Sequence, residues 1–375
     1  MNKKTCFAVL ASVVAAAGLT ACGSSASSTQ GKSNAQSAKA AQSTGAASGS
    51  KKFTVAVSVP QETDPYFIAI TNYFKKEAED HGMKVLTANA NGAVSQQINQ
   101  VETFVSEGVN AIAIDSINDQ TIAPAIKDAN SHHIPVFTID TQPYASAMKA
   151  EGAHIVQTVE TDNYSCGVTT AEQMLQWLHG RKAVVGRVIL PLAQSTQLRR
   201  NGFKATIKGH SNVKVVATVN GEASYSTALQ VVSPMLQGHP GINVVWGDNG
   251  PVGVGAVRAV IGQNDVGKVH VFANATVLPA DHYIESGKVF VAGATQFPSV
   301  EAATVAYDMW RYLEGHKQQT YLEETPCNAV TSSSAAKVTQ YNTAVFANKE
   351  PVQILVGKKV EEVTSSGALK PFTLP

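Results

Sequence analysis

Phe53–Val59 reads FTVAVSV, a nearly unbroken apolar and β-branched run. The stretch behind it, YFIAITNYFKKEAEDHG, sets Phe67, Ile70, Phe74 and Ala78 on one helical face before Gly82 ends the pattern. The unit returns as KVLTAN with a helix over residues 95–107, as NAIAID with a helix through Ile126, and as IPVFTID at Ile134–Asp140. Strands that alternate with helices every 25–30 residues or so must run parallel, because each helix carries the chain back to the starting edge. Such a sheet is covered on both faces, which is why its strands are apolar throughout rather than alternating.

A second series begins after residue 180: AVVGRVIL (Ala183–Leu190), VKVVATV (Val213–Val219), INVVWGD (Ile242–Asp248), KVHVFAN (Lys268–Asn274) and VFVAGATQ (Val289–Gln296). The fold expected is therefore α/β, two doubly wound parallel-sheet lobes of similar size joined by a hinge. The 375 residues suit two domains of ordinary size. Residues 53–158 with part of 275–330 are assigned to lobe 1 and the hinge, and residues 159–300 to lobe 2. From about Ala329 the rhythm is lost, and residues 331–375, with Pro351 and Pro371, form a C-terminal extension that is either packed or loosely ordered.

The first fifty residues have another character. Lys3 and Lys4 precede an apolar run that ends at Leu19, too short for the roughly 18 residues of a spanning helix and typical of a secretory signal. Leu19–Thr20–Ala21–Cys22 resembles a bacterial lipobox, so residues 1–21 are expected to be a lipoprotein signal peptide and Cys22 to be diacylated, which anchors a protein stably. Residues 22–52 are rich in Ser, Ala, Gly and Gln, bury too little to order, and read as a flexible tether. Of four cysteines, Cys6 leaves with the signal and Cys22 is acylated. Cys166 and Cys327 either pair in an oxidising compartment or stay as two buried thiols. A formal net charge of +1 argues against a nucleic-acid surface.

In open α/β sheets ligands bind beyond the carboxyl ends of the strands. There the sequence places Asp64, Tyr66 and Phe67; Asp140, Thr141 and Gln142; Arg199 and Arg200; Asp248 and Asn249; Asn274; and Gln296. Carboxylates, carboxamides and a guanidinium match the vicinal hydroxyls of a polyhydroxylated ring, and aromatic faces suit its C–H faces. Each residue also has a plainer use: Asp64 and Asp140 as caps, Tyr66 and Phe67 as core, Arg199 as a solvated helix residue.

Residues 53 to about 330 resemble the ribose- and galactose-type periplasmic binding proteins, the solute-binding subunits of ABC sugar importers (type I periplasmic binding protein-like). The motifs are VSVPQETDPYF, IPVFTID, ETDNYSCG, LRRNGF and VVWGDNGPVGVGAVRAV. The resemblance implies ligand contacts at Asp64, Tyr66, Phe67, Asp140, Arg199, Asn249, Asn274 and Gln296, and Thr141, beside Asp140, is expected as a ninth. It implies a small sugar or polyol ligand, ABC permease subunits as partners and hinge closure as mechanism. Cys166 follows the hinge segment ETDN and Cys327 a later candidate crossover, so a disulfide there, if the two pair, would brace the hinge. Thr141 stands where ribose-type members have arginine, Asn274 replaces an aspartate, Tyr225 is the nearest match to a further aromatic, and no calcium loop is evident. A pocket for a solute other than ribose follows. The reading places a monomer, with no cofactor or metal and no nucleic acid, in the cell envelope, lipid-anchored on the outer face of the cytoplasmic membrane or in the periplasm. GPVGVGAV lacks dinucleotide spacing, and no G-x-S-x-G elbow, Walker loop or zinc set occurs, so an enzyme is not expected. A binding protein that reports to a chemoreceptor or histidine kinase is the alternative.

Overall fold

Val55 to Val59 are all buried, as a strand covered on both faces requires. In the computed structural model, which describes residues 53–274, 278–318 and 320–375, this strand is β1 (Thr54–Val59). The expected signal, the tether and Cys22 lie outside the described residues. The chain continues through α1 (Pro65–Asp80), β2 (Lys84–Asn89), α2 (Val94–Ser106), β3 (Ala111–Ile114), α3 (Ala123–Ser131), β4 (Val136–Ile139), α4 (Ala145–Glu151) and β5 (Gln157–Thr161). Then follow α5 (Asn163–Leu178), β6 (Ala183–Ile189), α6 (Gln194–Ile207), β7 (Val213–Asn220), α7 (Tyr225–Gly238), β8 (Val244–Gly247), α8 (Gly250–Gly262), β9 (His270–Asn274), α9 (Leu278–Ser286) and β10 (Phe290–Thr295). Last come α10 (Pro298–Leu313), β11 (Leu322–Thr325), β12 (Asn328–Thr331), α11 (Ala335–Phe346), β13 (Gln353–Val356), β14 (Lys359–Val363) and β15 (Leu369–Pro371).

Two six-stranded sheets result, ordered β2-β1-β3-β4-β5-β11 and β7-β6-β8-β9-β10-β12. Each is doubly wound: the order reverses beside its first strand, so the loops after β1 and β3 in one lobe, and after β6 and β8 in the other, open a crevice at the carboxyl ends. The first sheet is parallel to its edge at β11, whereas β12 closes the second sheet antiparallel to β10. The chain crosses between sheets three times, after β5, after β10, and between β11 and β12. Pairing with β4 and β11 holds β5 in the first sheet through Thr161, so the crossing comes after residue 161 and not at the 158–159 division read from the sequence.

Helix α10 returns to pack on α1, and its Val300, Ala303 and Met309 join Ile70 and Phe74 in the core beneath the first sheet. Residues 331–375 are packed. Tyr341, Val345, Ile354 and Leu355 are buried in that same core, while α11 also lies on α9 of the second lobe, where Asn342 Nδ2 donates to Asp281 Oδ2 at 2.8 Å. Cys166, in the first turn of α5, and Cys327, between β11 and β12, are joined in a disulfide with Cα atoms 5.2 Å apart. The bond therefore links the first crossing to the third.

Candidate functional site

At the carboxyl ends of both sheets a cavity of about 100 Å³ is lined by Asp64, Tyr66, Asp140, Arg199, Asn249 and Gln296, together with Leu190 and Ala193 before α6 and Ser195 and Thr196 in its first turn. The first lobe supplies Asp64, Tyr66 and Asp140, the second supplies Arg199 and Asn249, and Gln296 stands at the second crossing.

Local chemistry sets each residue in place. Asp64 caps α1, its Oδ1 accepting from Tyr66 N at 3.0 Å, and Pro65 follows at the first helical position, where a missing N–H costs nothing. Capping leaves the carboxylate facing the cavity, so the plainer use and the functional one coexist. Asn249 does the same for α8, accepting from Val252 N at 3.2 Å. Asp140 ends β4 with φ +65°, a left-handed conformation that aspartate tolerates better than most residues but that still costs free energy. The turn projects its carboxylate inward, where Oδ1 accepts from the Tyr66 hydroxyl at 2.6 Å. That hydroxyl also lies 3.3 Å from Glu301 Oε2 on α10 and has one proton to give.

Arg199 is buried on α6. Its Nε donates to Asn163 Oδ1 at 2.8 Å and its Nη1 to the Asp248 carbonyl at 3.1 Å, which fixes the guanidinium plane. Helices α5 and α6 come close enough for this because two glycines face the contact. A Cβ on Gly167 would sit 1.8 Å from the Arg199 carbonyl, and one on Gly202 would sit 2.1 Å from that of Tyr164. Neighbouring Arg200 turns the other way and pairs with Asp248, whose second role is to accept from Leu190 N at 2.7 Å.

Three expected residues do not reach the cavity. Phe67 is one step along α1 from Tyr66, about 100° around the helix, so only one ring can face inward. It packs edge-on against Tyr66 with centroids 5.4 Å apart. Thr141 is buried and donates to Asp119 Oδ2 at 2.9 Å. Asn274 is buried behind Arg199, its Nδ2 donating to the Asp248 carbonyl at 3.3 Å. Tyr225 lines a neighbouring pocket with Asp64.

Residues that the strand-end reading passed over are Asp115, Asp119, Glu301, Thr161 and Asn163. Asp115 had a signal, since it closes the run NAIAID as Asp140 closes VFTID; Glu301, alone within a helix, had none. Glu301 Oε1 accepts from Thr161 and Thr325, and burial, with the nearby Asp140 charge, pushes its carboxyl up to about 8. Burial, then repulsion from Asp140, Asp119 and Glu301, also raises Asp115 well above the usual carboxylate range. Asp140 itself is raised by burial, against the pull of Arg199 from across the cleft. Among the described residues Asp115 Oδ2, Asp248 Oδ1, Asn274 Oδ1 and Asn163 Nδ2 are buried without a hydrogen-bond partner. Three of these belong to the set around Arg199, and the fourth faces the charge of Asp140. Buried polar atoms of this kind carry a desolvation cost, and all four residues stand behind the cavity lining and not in it. No cluster of metal-ligating side chains occurs among the described residues.

A family model described as periplasmic binding protein domain matches residues 55–317. The chain belongs to the periplasmic binding protein family. The ribose import binding protein RbsB of Bacillus subtilis is a 31% identical relative of this periplasmic binding protein over 215 residues, 57% of this chain and 67% of that protein. The D-apiose import binding protein of Actinobacillus succinogenes is 24% identical over 77% of this chain and 91% of its own. Among solved structures, an ABC transporter solute-binding protein from Actinobacillus succinogenes with bound D-allose superimposes with a TM-score of 0.71 at 21% identity, over 76% of this chain and all of that one. One from Bacillus halodurans with bound myo-inositol gives 0.70 at 18% identity, over 77% and 98%. These likenesses agree with the two-lobed α/β fold of this periplasmic binding protein.

Proposed function

We propose that this periplasmic binding protein captures a small sugar or sugar-like polyol between its lobes and delivers it to an ABC permease. One observation carries the reading: six polar side chains that follow five different strands of both sheets line a single cavity. Asp64 and Asp140 accept from hydroxyls, Arg199 donates, Asn249 and Gln296 do either, and Tyr66 offers a ring face. A solute that touches both walls favours the closed arrangement by its differential contacts, and the closed surface is what the permease reads. The names of the relatives support this class of ligand, since they include ribose, galactofuranose and D-apiose binding proteins.

The same proposal covers the chain's setting. Cys22 is the lipidated residue after removal of residues 1–21, residues 22–52 are the tether, and the protein works as a monomer outside the cytoplasm. The Cys166–Cys327 disulfide braces the hinge while leaving the second crossing free to flex. A thermal-shift panel of D-ribose, D-allose, D-tagatose, L-arabinose, D-galactose and myo-inositol tests the reading. A bound solute at a hundred times its Kd adds roughly 2.7 kcal/mol of stability. A panel in which no sugar or polyol moves the melting temperature overturns it.

A further inference from the structure

Asp119 lies in the loop between β3 and α3 of the first lobe, is fully buried, and does not line the cavity. Its Oδ2 accepts from Thr141 Oγ1 at 2.9 Å and from the backbone N–H of Gln194 at 2.7 Å, while Oδ1 accepts from Ser116 Oγ. Gln194 is the first residue of α6 in the second lobe, the helix that carries Arg199, and its cap residue Ala193 makes no side-chain capping bond. The second lobe therefore leaves the start of α6 uncapped, and a carboxylate from the first lobe supplies the cap. Among the described residues this is the one hydrogen bond that crosses the cleft away from the interlobe crossings and the C-terminal extension. Thr141, the other main partner, is the residue next to Asp140, so the same carboxylate steadies the left-handed turn that aims Asp140 into the cavity.

We infer that Asp119 is a closure latch: a positioning residue that stabilises the solute-bound, closed arrangement by capping helix α6 of the opposite lobe without touching the solute. The inference rests on the solute-capture reading above. The two ends of the latch belong to the elements that hold the solute, the β4 turn with Asp140 and helix α6 with Arg199. Solute and latch thus favour the same closed state and reinforce each other. The acceptor is an anion at a helix N-terminus, where backbone N–H groups and the helix dipole favour negative charge. Burial pushes Asp119 up to about 6, and the bonds from Gln194, Ser116 and Thr141 oppose that rise, so at neutral pH the carboxylate is mostly ionised.

A double-mutant cycle on the full chain tests the latch. Asp119→Ala removes the acceptor. Gln194→Pro, measured against Gln194→Ala to account for the lost side chain, removes the donor N–H without disturbing the helix start, because proline is well suited to the first helical position and Ala193, at φ −94° and ψ 133°, is already in the conformation that precedes proline. Calorimetry with each solute of the panel that the wild type binds is expected to show Gln194→Pro about ten-fold weaker, the loss of one charge-assisted hydrogen bond, and Asp119→Ala weaker by at least that factor, since it also releases Thr141 and Ser116. For each variant the factor should be the same for every solute, and the double variant should be no weaker than the weaker of the two single ones. Unchanged affinity in both single variants, or losses that multiply in the double, overturns the latch and leaves the capture reading standing. If the wild type binds nothing in the panel, the capture reading falls. Hydrogen exchange at the Gln194 amide then decides the contact alone: faster exchange in Asp119→Ala upholds it, and wild-type exchange removes it.

Discussion

The two walls of the cleft are built on one topology and carry opposite chemistry. The first lobe presents Asp64 and Asp140, with Asp115, Asp119 and Glu301 buried behind them, and the counter-charge felt by Asp140 comes from Arg199 across the cleft. The second lobe presents Arg199 and Asn249, and its own buried acid, Asp248, is matched internally by Arg200. One wall is thus an accepting surface whose charge is left for the other side to balance, and the other is a donating surface already balanced. The strand plan fixes where side chains stand, while the residues at strand ends decide what each wall does. A solute rich in hydroxyls satisfies both, giving protons to one wall and lone pairs to the other.

Removing the donor should unsettle this division most. Arg199→Ala is expected to weaken solute binding about a hundred-fold, since a buried charge-assisted donor is lost and Asp140 is left unopposed. Affinity close to wild type in calorimetry would show that the donating wall is not the one described. Next in size is the accepting side. Asp140→Ala and Asp140→Gly should both lose roughly thirty-fold in affinity. The glycine variant should be the more stable to urea by about 1 kcal/mol, because glycine adopts φ +65° without the strain alanine meets there. Equal stability of the two variants would remove the strain from the account.

The smallest effect concerns protons. Glu301 has an ordinary value of 4.5 and is held near 8 in the fold, chiefly by burial, so between those values the folded state binds a proton that the unfolded state has released. Its contribution is therefore fully present below about pH 4.5 and is lost as pH rises through 8. Asp281, buried on α9 and raised to about 7, acts in the same direction. The solute-free protein should melt several degrees higher at pH 5.5 than at pH 8.5, and Glu301→Gln, which mimics the protonated acid, should flatten that slope. A slope that survives the substitution would assign it to other groups.

How much could be read beforehand follows from the same physics. A buried parallel strand is an apolar run, so the polar residue that ends it stands out. VFTI before Asp140 and VVWG before Asp248 and Asn249 mark the crevice from sequence alone. Six of nine expected ligand contacts line one cavity for this reason. Phe67, Thr141 and Asn274 do not, because a strand end tells which loop a residue belongs to and not which way its side chain turns. Asp119 was out of reach since its partner is a backbone N–H 75 positions further along. The C-terminal extension hid its order because β13, β14 and β15 form a small antiparallel meander, without the strand–helix rhythm that revealed the rest.

The edge strands β11 and β12 follow one another in the chain, separated by two residues, yet they finish different sheets. Until residues 322–331 have emerged, β5 and β10 both present a row of unpaired backbone groups, an invitation to pair with another chain. A chain that folds as it emerges from its N-terminal side would thus assemble most of both lobes early and finish both within a few residues of each other. A chain cut short after Leu313 would keep every side chain that lines the cavity and lose both seals at once, making aggregation rather than weak binding the mark of truncation.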